Sequence, residues 1–320
     1  MLEISKNIQR AKQLLNQEEI VAIPTETVYG LAGNIYSEKA IRSIFKIKER
    51  PFFNPLIVHI HSIDQLDSFA TEIPLKAIQL AQKFWPGSLT LVLKKKSVIS
   101  DLISAGKDTV AVRIPNHQLT LELLRELDFP LAAPSANPFG CISPTHPKHV
   151  VHYFKNDLKL VLDGGQCENG IESTIIGFEE QNPVLYRLGS LSLEKIEAEI
   201  GPVRIKNKSE TNSPEAPGML SKHYAPKTKT ILTNLIHEEI KSNQGKKIGI
   251  VAYKKIDYNI QPFSEEILSE KGDIEEAMRN LYAAMHRLDS QNLDVIIAEK
   301  FPDSGVGKSI NDRLIRATKN

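Results

Sequence analysis

The chain has 320 residues, which at about 150 residues per domain makes two domains the starting expectation. Hydrophobic residues make up 41% and charged residues 25%, ordinary globular usage that excludes wholesale disorder. The 40 Lys and Arg offset 39 Asp and Glu, leaving a formal charge of +1, so no overall basic field holds a nucleic-acid backbone and any phosphate site must be local.

The two cysteines, Cys141 and Cys167, are too few for a disulfide framework and not spaced as C-x-x-C, which points to a reducing cytoplasm. No apolar run approaches the ~20 residues that span a bilayer, and the N-terminal MLEISKNIQRAKQLLNQEE is amphipathic without a signal-peptide core. The expectation is a cytoplasmic chain with no membrane partner.

In chain order, residues 5–16 carry Ile8, Ala11, Leu14 and Leu15 at helical spacing, and EEIVAIP then reads as a strand stopped by Pro24. Further helices are expected in SEKAIRSIFKIKE, LKAIQLAQKF, HQLTLELLREL and LEKIEAEI. PLIVHI, LTLVLK, TVAVRIP, LAAPSA, KLVLDGG, ESTIIGF and VLYRLG read as strands. This predicts a mixed-sheet α/β domain over residues 1–205. Residues 206–227 lose apolar periodicity, gather prolines and read as a linker. Residues 228–320 then predict a small α/β domain with a mostly parallel sheet, from the strands TKTILT, KKIGIVAY and LDVIIAE and a helix from Asp273 to Leu288.

Three loops carry chemistry. In IPTETVYGLAG a strand runs into a hydroxyl-rich turn that is expected to open a short helix, with Thr25 as its cap and Glu26 in its first turn. In KIKERPFFNPLIVH, Lys46, Lys48 and Arg50 crowd a helix C-terminus. They are either dipole complements or, beside Asn54 and His59, a point charge and a planar fork suited to a polyphosphate or carboxylate. In AAPSANPFGCISPT, a loop of small residues lets backbone N–H groups approach an anion, helped by Ser135, Asn137 and Ser143, unless it is a plain turn. GIEST places Ser173 at a strand start, and VLYRLGS projects Arg187 near a strand end. GVGKS at Gly305 to Ser309 fails as a phosphate loop, because G-x-x-x-x-G-K-[ST] requires glycine where Pro302 stands. No nucleophilic triad and no zinc-spaced ligand set is evident.

Taken in order, PTETVYGLAG, KERPFFNPLIVH, TVAVRIP, APSANPFGCISPT, GIEST and YRLG resemble the YrdC-like domain family. PGMLSKHYAP and GVGKSINDRLIRA resemble its longer two-domain form, the threonylcarbamoyl-AMP synthases. The resemblance implies a YrdC-like domain, a linker over the active site and a small Rossmann-like domain. It also implies nucleotidyl transfer: L-threonine, bicarbonate or carbon dioxide and ATP, with Mg2+ carried on the nucleotide, give threonylcarbamoyl-AMP and pyrophosphate. Downstream transfer proteins then pass the product to tRNA, and direct contact of tRNA with this chain stays open. On the matching positions, Thr27, His59, Arg113, Ala133 and Ser173 would surround threonine. Lys48, Arg50, Asn54, Thr109, Ser135, Asn137, Ser143, Arg187 and Tyr224 would face ATP, with Lys48 and Arg50 catalytic and the role of Glu26 unassigned. The competing expectation is a non-catalytic module whose concave basic surface holds double-stranded RNA.

Overall fold

The computed structural model describes residues 2–206, 215–219 and 223–319; residues 207–214 and 220–222 of the expected linker lie outside the described residues. The first part of the chain runs β1 (Glu3–Ser5), α1 (Ile8–Asn16), β2 (Val21–Ile23), β3 (Gly30–Asn34), α2 (Glu38–Lys48), β4 (Ile57–His59), α3 (Leu66–Phe69), α4 (Leu75–Phe84), β5 (Leu89–Lys94) and α5 (Asp101–Ser104). It continues with β6 (Thr109–Arg113), α6 (Gln118–Glu126), β7 (Leu131–Ala132), α7 (Pro147–Phe154), β8 (Leu160–Leu162), β9 (Thr174–Glu179), β10 (Asn182–Arg187), α8 (Leu193–Ile200) and β11 (Arg204–Ile205).

These strands form one mixed sheet in the order β1-β8-β2-β3-β7-β4-β6-β5-β9-β10-β11. Parallel pairing of β4 with β6 sets His59 opposite Arg113, while β5 runs antiparallel to β6 and parallel to β9. The finishing ends of β4 and β6 therefore meet the starting ends of β5 and β9, and polar side chains from four strands converge at one edge of an apolar sheet. The helices packed on it are amphipathic. The buried faces of α2, α4 and α8 close over Leu91 and Val112 with Ile44, Phe45, Leu80 and Ile196, and α1 and α6 pack Leu14, Leu15, Leu123 and Leu124 against β2 and β8.

The second part runs β12 (Thr230–Thr233), α9 (Ile236–Ser242), β13 (Ile248–Ala252), β14 (Ser264–Ile267), α10 (Ile274–Asp289), β15 (Val295–Glu299) and α11 (Val306–Ala317). Its sheet, β12-β15-β13-β14, is parallel at every pairing. One face is covered by α9; α10 and α11 cover the other and share a core with Val28, Ile142, Ile171 and Tyr224 of the preceding chain. The mixed α/β fold followed by a small parallel α/β unit is as expected.

Two local expectations fail. Residues 25–29 open no helix; Gly30 to Asn34 is a strand antiparallel to β2. Thr25 Oγ1 accepts from the N–H groups of Thr27 and Val28 and so tightens a hairpin turn instead of capping a helix. The strand expected over 131–136 forms only at Leu131 and Ala132, before Pro134, which has no N–H to give a ladder.

Where α10 crosses α7, the rings of His149 and His286 stack at 4.0 Å. His149 Nδ1 accepts from the Thr145 N–H and His286 Nε2 donates to the Ser143 carbonyl. Burial, then the neighbouring His286, pushes His149 down to about 3, and burial pushes His286 down to about 4. Both fall below the unfolded value near 6.5, so their contribution to stability is complete above that pH and is lost as pH falls through the window from about 6.5 to 3. Calorimetry is expected to show a melting temperature that drops between pH 7 and 5. His286→Phe should flatten part of that slope; an unchanged slope would show that the stacked pair does not titrate with unfolding.

Candidate active site

The floor of the site is an ion pair between strands. Glu26, in the β2–β3 turn, receives Arg113 Nη2 at 2.6 Å, and its other oxygen accepts the Asn116 N–H at 3.0 Å. Arg113 also donates from Nη1 to Thr27 Oγ1 and from Nε to the Gly87 carbonyl. Both side chains are almost fully covered, at 4% and 3% exposure, so each charge depends on the other. Glu26 was expected near a helix dipole; it is instead the partner of Arg113. Beside it, burial and then the Arg113 charge drive His59 down to about 3, leaving a neutral imidazole whose Nδ1 lies 3.3 Å from the Ile57 carbonyl.

Helix α2 delivers the basic pair. Ser37 caps its start, and Glu49 in the left-handed region at φ 52° ends it, turning Arg50 back so that its N–H reaches the Phe45 carbonyl. Arg50 donates to the carbonyls of Asn54 and Pro55. Burial and then Arg187 pull its guanidinium down to about 9, still a cation at neutral pH. The two basic residues part company here. Arg50 lines the cleft, whereas Lys48 lies behind the wall and points its ammonium at the carbonyls of Ser135 and Asn137. Burial and Arg50 lower its pKa well below the ordinary lysine value. Asn54 is fully buried, and its side-chain N and O have no hydrogen-bond partner among the described residues.

The opposite wall is the end of β10 with the loop before β9. Arg187 donates from Nε and Nη2 to the Ser173 carbonyl at 3.1 and 2.9 Å, and from Nη1 to the Pro217 carbonyl of the linker at 3.2 Å. Ser173 Oγ lies 2.7 Å from Thr90 Oγ1. One residue earlier, Glu172 accepts from Ser143 Oγ at 2.6 Å and from the Tyr282 hydroxyl at 3.0 Å, and pairs with Arg313 Nε at 3.1 Å. Burial raises the Glu172 carboxyl, but Arg313, Arg187 and Ser143 outweigh it and leave it below the ordinary carboxylate range.

Of the residues expected to act, Thr27, Arg50, His59, Arg113, Ala133, Ser135, Ser173, Arg187 and Tyr224 line one cleft, roofed by Pro217, Gly218 and His223. Lys48, Asn54, Asn137 and Ser143 are buried in its walls, with Asn137 Nδ2 donating to the carbonyls of Pro138 and Cys141. Thr109 is elsewhere: it is at the opposite end of β6 from Arg113, in a groove with Lys94, Phe178 and Tyr186. Between the two lies an apolar floor of Ile57, Val92, Ala111 and Ile175, covered by Ala216 and Met219 of the linker. Sequence reasoning missed Glu172, Tyr282, Arg313 and Arg316. The signal available for the last two was the spacing of Val306, Ile310, Leu314 and Ala317, which marks α11 as an amphipathic helix. Arg50 and Arg187 are each 7% exposed inside the cleft and so add little to an exposed basic surface of the kind the RNA-binding alternative needs.

The family described as "Telomere recombination" matches residues 13–189, and "Threonylcarbamoyl-AMP synthase, C-terminal domain" matches residues 191–318. The threonylcarbamoyl-AMP synthase of Pyrococcus abyssi is 40% identical over 97% of this chain and 94% of its own, and that of Bacillus subtilis is 39% identical over 98% and 94%. The chain belongs to the threonylcarbamoyl-AMP synthase family. The crystal structure of P. abyssi Sua5 complexed with L-threonine superposes with a TM-score of 0.92 at 38% identity, covering 99% of this chain and 97% of that one. No described helix is long and apolar enough to cross a membrane.

The Glu26–Arg113 pair generates a stability prediction. Glu26→Ala leaves a buried guanidinium without its carboxylate and is expected to cost about 3–5 kcal/mol, whereas Glu26→Gln, which keeps an acceptor, should cost less. Urea denaturation followed through the single tryptophan, Trp85, reads both; equal losses would show that charge pairing contributes nothing there.

Proposed function

We propose that the cleft condenses L-threonine, carbon dioxide from bicarbonate, and ATP into threonylcarbamoyl-AMP and pyrophosphate, in the cytoplasm, for tRNA modification by downstream transfer proteins. The observation that carries the reading is that Arg50 and Arg187 face one small cleft with no carboxylate at ion-pair distance from either among the described residues. Buried cations solvated by peptide carbonyls and a hydroxyl, with no paired carboxylate, suit a polyanion. Threonine is assigned to the Arg113, Thr27, His59, Ala133 and Ser173 end, with Arg113 on its carboxylate. ATP is assigned to Arg50, Asn54, Ser135, Asn137, Ser143, Arg187 and Tyr224, with Lys48 holding the Ser135–Asn137 loop against the phosphates.

The chemistry follows from the substrates. The threonine amine attacks carbon dioxide and loses a proton to give a carbamate. A carbamate oxygen then attacks the α-phosphorus, and the bond to the β-phosphate breaks with its electrons leaving on pyrophosphate. The chain contributes in-line positioning and cationic donors for the charge that gathers on the leaving group. His59, neutral across the physiological range, orients by hydrogen bonding and adds no charge. Among the described residues no cluster of three or more His, Cys, Asp or Glu is placed to hold a metal, and the wall donors are cations, hydroxyls and amides. That set fits phosphate oxygens, so Mg2+ is assigned to the nucleotide, where it screens phosphate charge.

The same reading divides the chain into a catalytic domain over 1–205, a linker over 206–227 that roofs the site, and a second domain over 228–320. Pro217, Gly218, His223 and Tyr224 line the cleft from the linker side, so on this reading the roof lifts to admit ATP. For Thr109 to touch the nucleotide, Met219 must also leave the apolar floor.

The test is incubation of the purified protein with threonine, ATP, Mg2+ and labelled bicarbonate, with rapid chromatography for a labelled adenylate. Absence of that product would overturn the reading. Arg50→Ala is expected to lower the rate by on the order of a hundredfold, about 3 kcal/mol, with circular dichroism unchanged. Arg113→Lys keeps a charge beside Glu26 but loses the planar fork. It should weaken threonine binding roughly tenfold by calorimetry while ATP binding stays within about twofold. Unchanged threonine affinity would remove Arg113 from the carboxylate.

A further inference from the structure

We infer that Arg313, on the last helix of the second domain, is a positioning residue for the nucleotide half of the active site and acts through Glu172. This rests on the assignment of Ser143 and Arg187 to ATP. Glu172 is the buried acidic residue on that side of the cleft. Its Oε1 is taken by Ser143 Oγ at 2.6 Å, and its Oε2 by Arg313 Nε at 3.1 Å and the Tyr282 hydroxyl at 3.0 Å. Ser143 comes from the Ser/Asn/Pro loop of the first domain; Tyr282 and Arg313 come from α10 and α11 of the second. The carboxylate is therefore one point at which the second domain touches the site.

The same face of α11 makes two more contacts with the site. Ser309, one turn before Arg313, donates to the Gly189 carbonyl at 2.7 Å, and Gly189 packs so closely on the Ser173–Thr174 backbone that a Cβ there would lie 2.2 Å from Ser173 C and Thr174 N. The guanidinium groups of Arg313 and Arg316 lie 5.1 and 4.7 Å from the centre of the ring of Tyr224, a linker residue at φ 63°.

Charge decides what Arg313 does. Arg187 gives three of its hydrogen bonds to the Ser173 carbonyl and Oγ and one to the Pro217 carbonyl, none to Glu172. With Arg313 present, the Glu172 charge is met from the second domain and Arg187 keeps its orientation toward the cleft. With Arg313 neutralised, Arg187 is the guanidinium left to balance a buried carboxylate. It turns from Ser173 to Glu172 and no longer serves an incoming phosphate.

Steady-state kinetics of pyrophosphate release by the full-length protein test this. Arg313→Met is expected to raise the KM for ATP by about tenfold or more with the KM for threonine within about twofold. Adding Glu172→Gln, which removes the orphaned charge, should bring the ATP KM back to within about threefold of wild type. A purely architectural arginine gives a different pattern, in which both KM values move together or neither moves and Glu172→Gln rescues nothing; that result overturns the inference. If Arg313→Met does not fold, Arg313→Lys is read instead. It is expected to give an intermediate ATP KM, and wild-type values for both substrates would overturn the inference. Arg187→Ala separates the premise from the inference. An unchanged ATP KM in that variant removes ATP from Arg187 and the inference with it, whereas a crippled Arg187→Ala beside an unaffected Arg313→Met leaves the ATP assignment standing and removes Arg313 alone.

Discussion

Burying several cations around one small cleft is the constraint that shapes the rest of this molecule. Lys48, Arg50, Arg113, Arg187, Arg313 and Arg316 are all at most 7% exposed, and taking each from water carries a desolvation penalty of several kcal/mol. Two buried glutamates meet part of that charge, Glu26 under Arg113 and Glu172 under Arg313. Peptide carbonyls meet much of the remainder: Asn54 and Pro55 for Arg50, Ser135 and Asn137 for Lys48, Ser173 and Pro217 for Arg187. Carbonyls turned inward cannot belong to a helix or a sheet ladder, so the loops that supply them must be irregular, and their Pro, Ser, Asn and Gly residues follow from that need.

This explains what could be read from the sequence. The helices and strands that carry the sheet have plain periodicity, because their one duty is to bury an apolar face: α2, β4, β5, β6, α10 and β15 lie where their patterns placed them. The loop motifs could be read as anion-binding beside the plainer readings of a helix-dipole complement and a simple turn, because small polar residues beside Lys and Arg also suit an anion. Most of the residues so read do converge. The strand β3 could not be read, since GLAGN has no β-branched residue. Its glycines answer to packing, and a Cβ on Gly33 would meet Ile44 Cδ1 at 3.1 Å and Ala40 Cβ at 3.2 Å, so α2 could not settle as closely. Edge strand β14, reading SEEI with every position half-buried, gives no alternation to detect.

The deeper blind spot is pairing across distance. Glu26 and Arg113 are 87 residues apart, and Glu172 and Arg313 are 141 apart. Nothing local in either segment announces its partner. Lys308 and Ser309, tested as a phosphate loop and rejected, have other work: Lys308 pairs at the surface with Glu194, and Ser309 anchors α11 to Gly189. A sequence motif that fails its own chemistry can still mark a segment whose role is to brace the chemistry elsewhere.

The roof of the cleft belongs to the same electrostatic scheme. Arg187 Nη1 donates to the Pro217 carbonyl, and a Cβ on Gly218 would lie 2.8 Å from that nitrogen and 3.0 Å from the Tyr224 hydroxyl, so only glycine lets the linker come this near. Gly218 also takes φ 75°, a conformation that glycine alone adopts without strain. The peptide thus stands where a phosphate oxygen is expected to stand, offering Arg187 a neutral acceptor. Hydrogen bonds to ionised acceptors are roughly twice as strong as those to neutral ones, so under the function proposed above a polyphosphate would displace the peptide from the arginine, while water, a neutral acceptor, would gain little by doing so. On that reading the backbone covers Arg187 until a stronger anion arrives. For Arg187 the partners in the folded chain are backbone and hydroxyl dipoles, and under the proposed function a triphosphate would be preferred because those dipoles are the weaker partner.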